Sequence, residues 1–303
     1  MRRTNITGNP GMYASLAGQA RCMAAYDAAL ARWPVPYEQL DLPTRFGSTH
    51  IIASGPKDAP ALLLLHGRWA TASMWCSVMT ELSRGRRVYA VDQIDDVGKS
   101  VPTRLPAERG DYAAWLADVL DGLALAQADI LGLSYGGFLG LNLALAAAER
   151  VGLLILLCPG VPCFGPPTLR WAIHGLPMTL FPNRATAGWL VRGLSVRGYN
   201  PDDPEVEQLV AGGLNMRSRI PFRPAFDDAE FGQLTMPVLL LIGEQDALYD
   251  ARSALRRARQ LIPQLETEII PNAGHMLNTD QPGAVIQRVT QFLDAHHAAQ
   301  PWR

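Results

Sequence analysis

Residues 129–140 read Asp-Ile-Leu-Gly-Leu-Ser-Tyr-Gly-Gly-Phe-Leu-Gly and constrain this chain more than any other stretch. Residues 130–133 form a short apolar run that reads as a buried strand, and residues 138–148 read as an apolar helix. Between them, Gly132-Leu133-Ser134-Tyr135-Gly136 matches Gly-x-Ser-x-Gly. A serine on a sharp strand-to-helix turn has strained backbone, and side chains at the flanking positions would collide with their surroundings. The turn lifts the Ser134 hydroxyl above the sheet edge. It also aims the N–H of Tyr135, at the start of the helix, toward an oxyanion. The same five residues in a loose Gly/Ser loop would be a turn without chemistry. The strand before them and the helix after them make the chemical reading the stronger one.

The rest of the chain repeats this strand–turn–helix rhythm. Strands are expected at 48–54, 61–65, 88–91, 153–157, 238–242 and 266–270, and helices at 73–82 and 112–123. An apolar stripe of Val285, Ile286, Val289, Phe292 and Leu293 adds a last helix. Several strands are continuously apolar, as strands covered on both faces are. Alternation of this kind implies an α/β fold with a mostly parallel sheet and helices on both faces. Residues 1–43 are read as an N-terminal helical extension, with an Ala-rich helix over 13–33 and then an extended connection punctuated by Pro34, Pro36 and Pro43. Residues 44–160 and 233–303 are read as the core. Residues 161–232 break the rhythm; rich in Pro, Arg and aromatics, they are read as an inserted helical cap.

Composition narrows the partners. A formal net charge of -1 over 303 residues gives no footprint for nucleic acid or an anionic membrane. No stretch approaches the length of a membrane span, and no apolar run follows Arg2-Arg3, so no signal peptide is read. The four cysteines, Cys22, Cys76, Cys158 and Cys163, lack metal-ligand spacing and read as free buried thiols in a reducing compartment. The expectation is a cytoplasmic protein without metal or organic cofactor.

A serine hydroxyl is a weak nucleophile until a base takes its proton. Six histidines are available. His50 falls inside a strand, His66 opens a turn, His174 lies in the cap, and His296 and His297 lie in the last helix. His275, in Asn272-Ala273-Gly274-His275-Met276, follows the last strand, and such loops gather at the carboxyl edge of a parallel sheet, where Ser134 stands. The imidazole needs an acid to fix its tautomer. Gly243-Glu244-Gln245-Asp246 follows the preceding strand; Asp246 is preferred, with Glu244 and Asp250 as rivals. The order Ser134, Asp246, His275 is that of a known triad arrangement. A second oxyanion donor is sought in His66-Gly67-Arg68-Trp69, with the Arg68 N–H beside that of Tyr135 and His66 bracing the loop. The side chains of Arg68 and Trp69 either reach the pocket or simply pack.

These residues resemble the α/β-hydrolase superfamily, from about Thr44 to the end. The pieces that match are Leu65-His66-Gly67, Val91-Asp92, Gly132-Leu133-Ser134-Tyr135-Gly136-Gly137, Gly243-Glu244-Gln245-Asp246 and Gly274-His275. Within it the chain is most similar to bacterial carboxylesterase-like serine hydrolases, in which a helix and a stretch like Trp33-Pro34-Val35-Pro36-Tyr37 precede the sheet. The resemblance implies an eight-stranded, mostly parallel sheet with a helical cap. It implies a Ser134–His275–Asp246 triad, with Arg68 and Tyr135 as oxyanion donors. One departure stands out: the loop after Asp92 reads Asp95-Asp96-Val97-Gly98-Lys99-Ser100 where the family pattern is Gly-x-Gly-x-Ser.

The cap should roof the nucleophile. Trp69, Trp171, Trp189 and Phe222 are candidate pocket residues, suited to a small-molecule substrate with an apolar portion. The cap's seven Arg balance seven Asp plus Glu, so it has no net bias toward anions. Three readings compete: ester hydrolysis through an acyl-enzyme; the same triad used on lactones, thioesters, acyl transfer or C–C bonds; and ligand binding on a hydrolase scaffold without turnover.

Overall fold

The computed structural model describes residues 12–160, 163–217 and 226–299. Among the described residues nine strands form one sheet: β1 (Tyr37–Thr44), β2 (Gly47–Ser54), β3 (Ala61–Leu65), β4 (Arg87–Val91), β5 (Val101–Pro102), β6 (Ala128–Leu133), β7 (Val151–Leu157), β8 (Val238–Gly243) and β9 (Leu265–Ile270). The path is β1-β2-β4-β3-β6-β7-β8-β9, with the two-residue β5 paired to β2. From β4 to β9 the pairs are parallel; β1–β2 and β2–β4 are antiparallel. The expected eight-stranded, mostly parallel sheet is thus the main path, with β5 added at its side.

The central strands β3, β4 and β6 are buried at every residue, because helices cover both faces. The helices are α1 (Leu16–Leu30), α2 (Met79–Leu82), α3 (Arg109–Gly122), α4 (Tyr135–Ala146), α5 (Leu169–Leu180), α6 (Arg184–Leu194), α7 (Pro204–Asn215), α8 (Asp228–Phe231), α9 (Ala251–Leu261), α10 (Leu277–Asp280) and α11 (Pro282–Ala299). Among the described residues no helix is long and apolar enough to cross a membrane.

Two local readings change. Residues 37–44, expected as an extended connection, are the strand β1, with an alternating exposed and half-buried pattern typical of an edge. Pro43 is tolerated there because an edge strand leaves one row of backbone groups unpaired. The helix expected over 73–82 is a 3₁₀ segment, Ala72–Val78, followed by the single turn of α2.

Within the described residues 163–217 lie the helices α5, α6 and α7. Thr168, Asn183 and Asp203 cap α5, α6 and α7 by accepting backbone N–H groups of the first turn. The Ala-rich helix expected over 13–33 is α1, shorter at both ends. It lies against α7: Arg21 donates to Asn215 Oδ1 at 2.9 Å, Cys22 Sγ to the Ala211 carbonyl at 3.2 Å, and Arg32 pairs with Asp203 at 3.0 Å.

Candidate active site

Ser134 has φ 50° and ψ −111°, outside the usual regions for a residue with a side chain. Three main-chain bonds hold it there. Its N–H donates to the Leu157 carbonyl at 2.9 Å, and its own carbonyl accepts from Gly160 at 2.8 Å and Phe138 at 3.1 Å. Gly136 is required, since a Cβ at that position would meet the Leu65 carbonyl. The turn is therefore clamped between the ends of β3 and β7.

His275 and Asp246 meet behind it. His275 Nδ1 lies 3.1 Å and 3.2 Å from the two carboxylate oxygens of Asp246, and both side chains are buried. Their loops are joined by a bond from the Gln245 N–H to the Ala273 carbonyl at 2.9 Å. Burial opposes ionisation of Asp246. The His275 ring, the Cys158 thiol and the Leu248 N–H (2.6 Å) outweigh it and hold the carboxyl below its ordinary value. The carboxylate thus keeps the Nδ1–H tautomer, leaving Nε2 as the ring's free base. The rivals are committed elsewhere: Asp250 caps α9 at Ser253, and Glu244 accepts the Asn272 N–H.

Cys158 joins this pair. Its sulfur and the nearest ligand atoms of Asp246 and His275 lie within 4.8 Å of one another, the one such group of three among the described residues. Burial pushes the thiol well up, so it stays protonated and donates to Asp246. All four cysteines are free and buried.

The loop after β3, residues 66–69, is built from the other side. His66 Nδ1 bonds the Gly67 carbonyl at 2.8 Å, and its Nε2 accepts the Gln93 N–H at 3.2 Å. Complete burial lowers the His66 pKa and keeps the ring neutral, which this donor–acceptor pattern requires. His66 braces the loop, as read from the sequence. Asp92 accepts the Ala72 N–H at 2.8 Å, and Asp96 accepts the Trp69 N–H at 3.1 Å. Neither the Arg68 N–H nor the Tyr135 N–H meets a protein acceptor among the described residues, and Tyr135, first in its helix, has no acceptor within it.

Ser134, His275, Arg68 and Tyr135 all line one cavity of about 450 Å³. Trp69 and Trp171 line it too. Trp189 does not: it is 42% exposed on the outer side of the cap, where its ring stacks on His174 at 4.7 Å. Its helix turns that side chain outward, which an aromatic count cannot reveal. Phe222 lies outside the described residues. The Arg68 side chain faces Asp95 and Asp96 and is not free to hold a substrate anion. Missed from the sequence were Phe138, one turn beyond Ser134 on α4, and the polar pair Glu205 and Gln208 on α7. The i, i+3 spacing of Tyr135 and Phe138 was the available signal.

The roof rests on this loop. The Gln208 amide donates to the Trp69 carbonyl at 3.2 Å, and a Cβ on Gly212 would run into that same carbonyl. On the other side Asp280 accepts the Gly274 N–H at 2.7 Å and the Ser195 hydroxyl, tying the His275 loop to the end of α6.

Residues 62–288 match the Alpha/beta hydrolase family. The chain belongs to that family. It is 38% identical over 290 residues to carboxylesterase YbfK of Bacillus subtilis, covering 93% of this chain and 96% of that one. The crystal structure of that enzyme, also called CesB, superposes with a TM-score of 0.85 over 92% of this chain and 99% of the other. The crystal structure of the naproxen esterase (carboxylesterase NP) of Bacillus subtilis does so with a TM-score of 0.82 and 36% identity, over 91% and 98%.

Proposed function

We propose that this α/β hydrolase cleaves carboxylic esters through an acyl-enzyme on Ser134. The observation that carries the reading is the convergence of Ser134, the Asp246-held His275 and two unclaimed N–H donors on one largely apolar cavity. The carboxylesterase relatives support the same reaction class.

The steps follow from the atoms. His275 Nε2 takes the Ser134 proton as Oγ bonds to the ester carbonyl carbon. The carbonyl oxygen becomes an oxyanion and accepts the N–H groups of Arg68 and Tyr135. The tetrahedral adduct collapses, the C–O bond to the alcohol breaks, and His275 returns the proton to the departing oxygen. A water molecule, deprotonated by the same nitrogen, then releases the acid and restores Ser134. Asp246 stays ionised and stabilises the imidazolium in both halves. The residues that line the cavity beside it, among them Trp69, Trp171, Phe138 and Met276, suit an apolar acyl or alcohol group.

The test is steady-state hydrolysis of p-nitrophenyl esters from acetate to decanoate by wild type and Ser134→Ala. The expected outcome is turnover in the wild type and a loss of roughly 10⁶-fold in the variant, with unchanged thermal unfolding. Turnover within tenfold of wild type in Ser134→Ala would sink the reading.

A further inference from the structure

The departure from Gly-x-Gly-x-Ser after Asp92 places Asp95 and Asp96 behind the oxyanion loop. Three donors converge there on a single oxygen, Asp95 Oδ2. The Tyr135 hydroxyl donates at 2.7 Å, the Tyr112 hydroxyl at 3.1 Å and Arg68 Nη1 at 3.2 Å. The guanidinium of Arg68 also lies over the Tyr135 ring, 4.5 Å from its centre. The ion pair is enclosed: the side chains of Arg68 and Asp95 are 13% and 8% exposed. Arg68 lies in the loop after β3, and Tyr135 opens the helix after β6. Among the described residues, Asp95 is the one group that holds both side chains by hydrogen bonds.

We propose that Asp95 is a positioning residue that sets the spacing of the two oxyanion donors by tying their side chains to one carboxylate oxygen. This rests on the serine-hydrolase reading above. Asp95 acts through Arg68 and Tyr135 and needs no contact with substrate. Its consequence is preorganisation: both N–H groups are held before charge develops, so no rearrangement is needed when it does. A donor misplaced by about 1 Å is enough to cost on the order of 100-fold in rate. Asp96 has a separate task, since its oxygens accept the backbone N–H groups of Trp69 and Val97 (2.7 Å) and fix the loop itself.

The experiment compares Asp95→Ala, Asp95→Asn, Tyr135→Phe and the double variant Asp95→Ala/Tyr135→Phe with wild type. It reads kcat and KM on p-nitrophenyl butyrate and the inhibition constant of an aryl boronic acid, a mimic of the tetrahedral adduct. Expected for Asp95→Ala is a fall in kcat of about 10- to 100-fold, below the 10²–10³-fold cost of deleting a donor outright. KM stays within about threefold, and boronate affinity falls by the same factor as kcat/KM. Asp95→Asn, which keeps an acceptor oxygen, recovers part of the loss. Tyr135→Phe loses a few-fold alone and nothing further in the Asp95→Ala background, because its arm runs through Asp95. Folded variants with wild-type kcat and boronate affinity would overturn the proposal, as would additive losses in the double variant. If Asp95→Ala fails to fold, Asp95→Asn and Tyr135→Phe decide it. Ser134→Ala serves as the control: retained turnover there removes the serine reading itself, whereas a dead Ser134→Ala beside an unaffected Asp95 series removes only this one.

Discussion

The Ser134 turn and the Asp246 loop at the floor of the cavity are held by main-chain hydrogen bonds, the outer side of its roof by exposed side chains. Ser134 is fixed by bonds to Leu157 and Gly160, and the Asp246 loop by the Gln245–Ala273 bond. The roof leans on contacts such as the Arg184–Glu207 pair, whose side chains are 59% and 32% exposed, and the stacked His174 and Trp189. Exposed ion pairs contribute about 0–1 kcal/mol each. Its helix α5 turns Leu169, Ile173, Leu176 and Leu180 outward. The difference separates two jobs. The floor must hold reacting atoms to fractions of an ångström, and backbone bonds together with the buried carboxylates of Asp95, Asp96 and Asp246 do that; the roof needs only to exclude water and fit a substrate.

The sharpest break in this comparison is expected at Asp246. Asp246→Asn should keep the fold but lower kcat by about 10⁴-fold, because an amide no longer enforces the Nδ1–H tautomer of His275. Steady-state kinetics with matched thermal unfolding checks this; a loss under tenfold would mean the imidazole is oriented by something else.

The next largest effect tests the seam. Gly212→Ala puts a methyl against the Trp69 carbonyl and must push α7 off the loop after β3. Overpacking of this kind costs about 1–3 kcal/mol. A lowered unfolding temperature together with reduced kcat/KM is expected. Unchanged values for both would show that the roof does not bear on the floor.

This division also explains what could be read from the chain. Ser134 and His275 were legible because a Gly-x-Ser-x-Gly turn and a loop after the last strand imply their own placement. Asp246 needed a choice among three acids, since sequence order does not say which side chain turns inward. The strand β1 was missed because an edge strand with half-buried residues and Pro43 lacks a strong apolar signal. In the cap, Trp171 and Trp189 are indistinguishable by type, and only helix phase separates the one lining the cavity from the one facing solvent. Asp95 registered merely as a departure from a pattern, because its partners Arg68 and Tyr135 lie 27 and 40 residues away.

That pair of tryptophans gives a smaller test within the roof. Trp171→Ala should raise KM for the longest ester accepted by about three- to tenfold with little change in kcat, in keeping with a pocket group worth roughly 1–3 kcal/mol at most. Trp189→Ala should leave both within twofold. Equal effects from the two would dissolve the distinction between inner and outer faces.

The smallest effect concerns pH. Burial in the cavity wall, reinforced by Asp203, pushes Glu205 from 4.5 up to about 7 against the pull of Arg32 and Arg197. Between those values the folded protein holds a proton that the unfolded chain has lost. Stability therefore falls as pH rises through that window and levels off above it. Glu205→Gln removes this share. Its urea midpoint should drop less between pH 5 and pH 7.5 than that of the wild type. Asp96, also pushed up to about 7 by burial, has the same sign and remains in both proteins. Parallel curves for the two proteins would contradict the assignment.

The central claim is that Ser134 is the nucleophile. Labelling with a p-nitrophenyl alkylphosphonate, followed by mass spectrometry of the digested protein, tests it most directly. The account predicts one phosphonyl group per chain, on the peptide carrying Ser134, with esterase activity lost in step with labelling. Full esterase activity with no label on that peptide, or inactivation with the label on another residue, would contradict it.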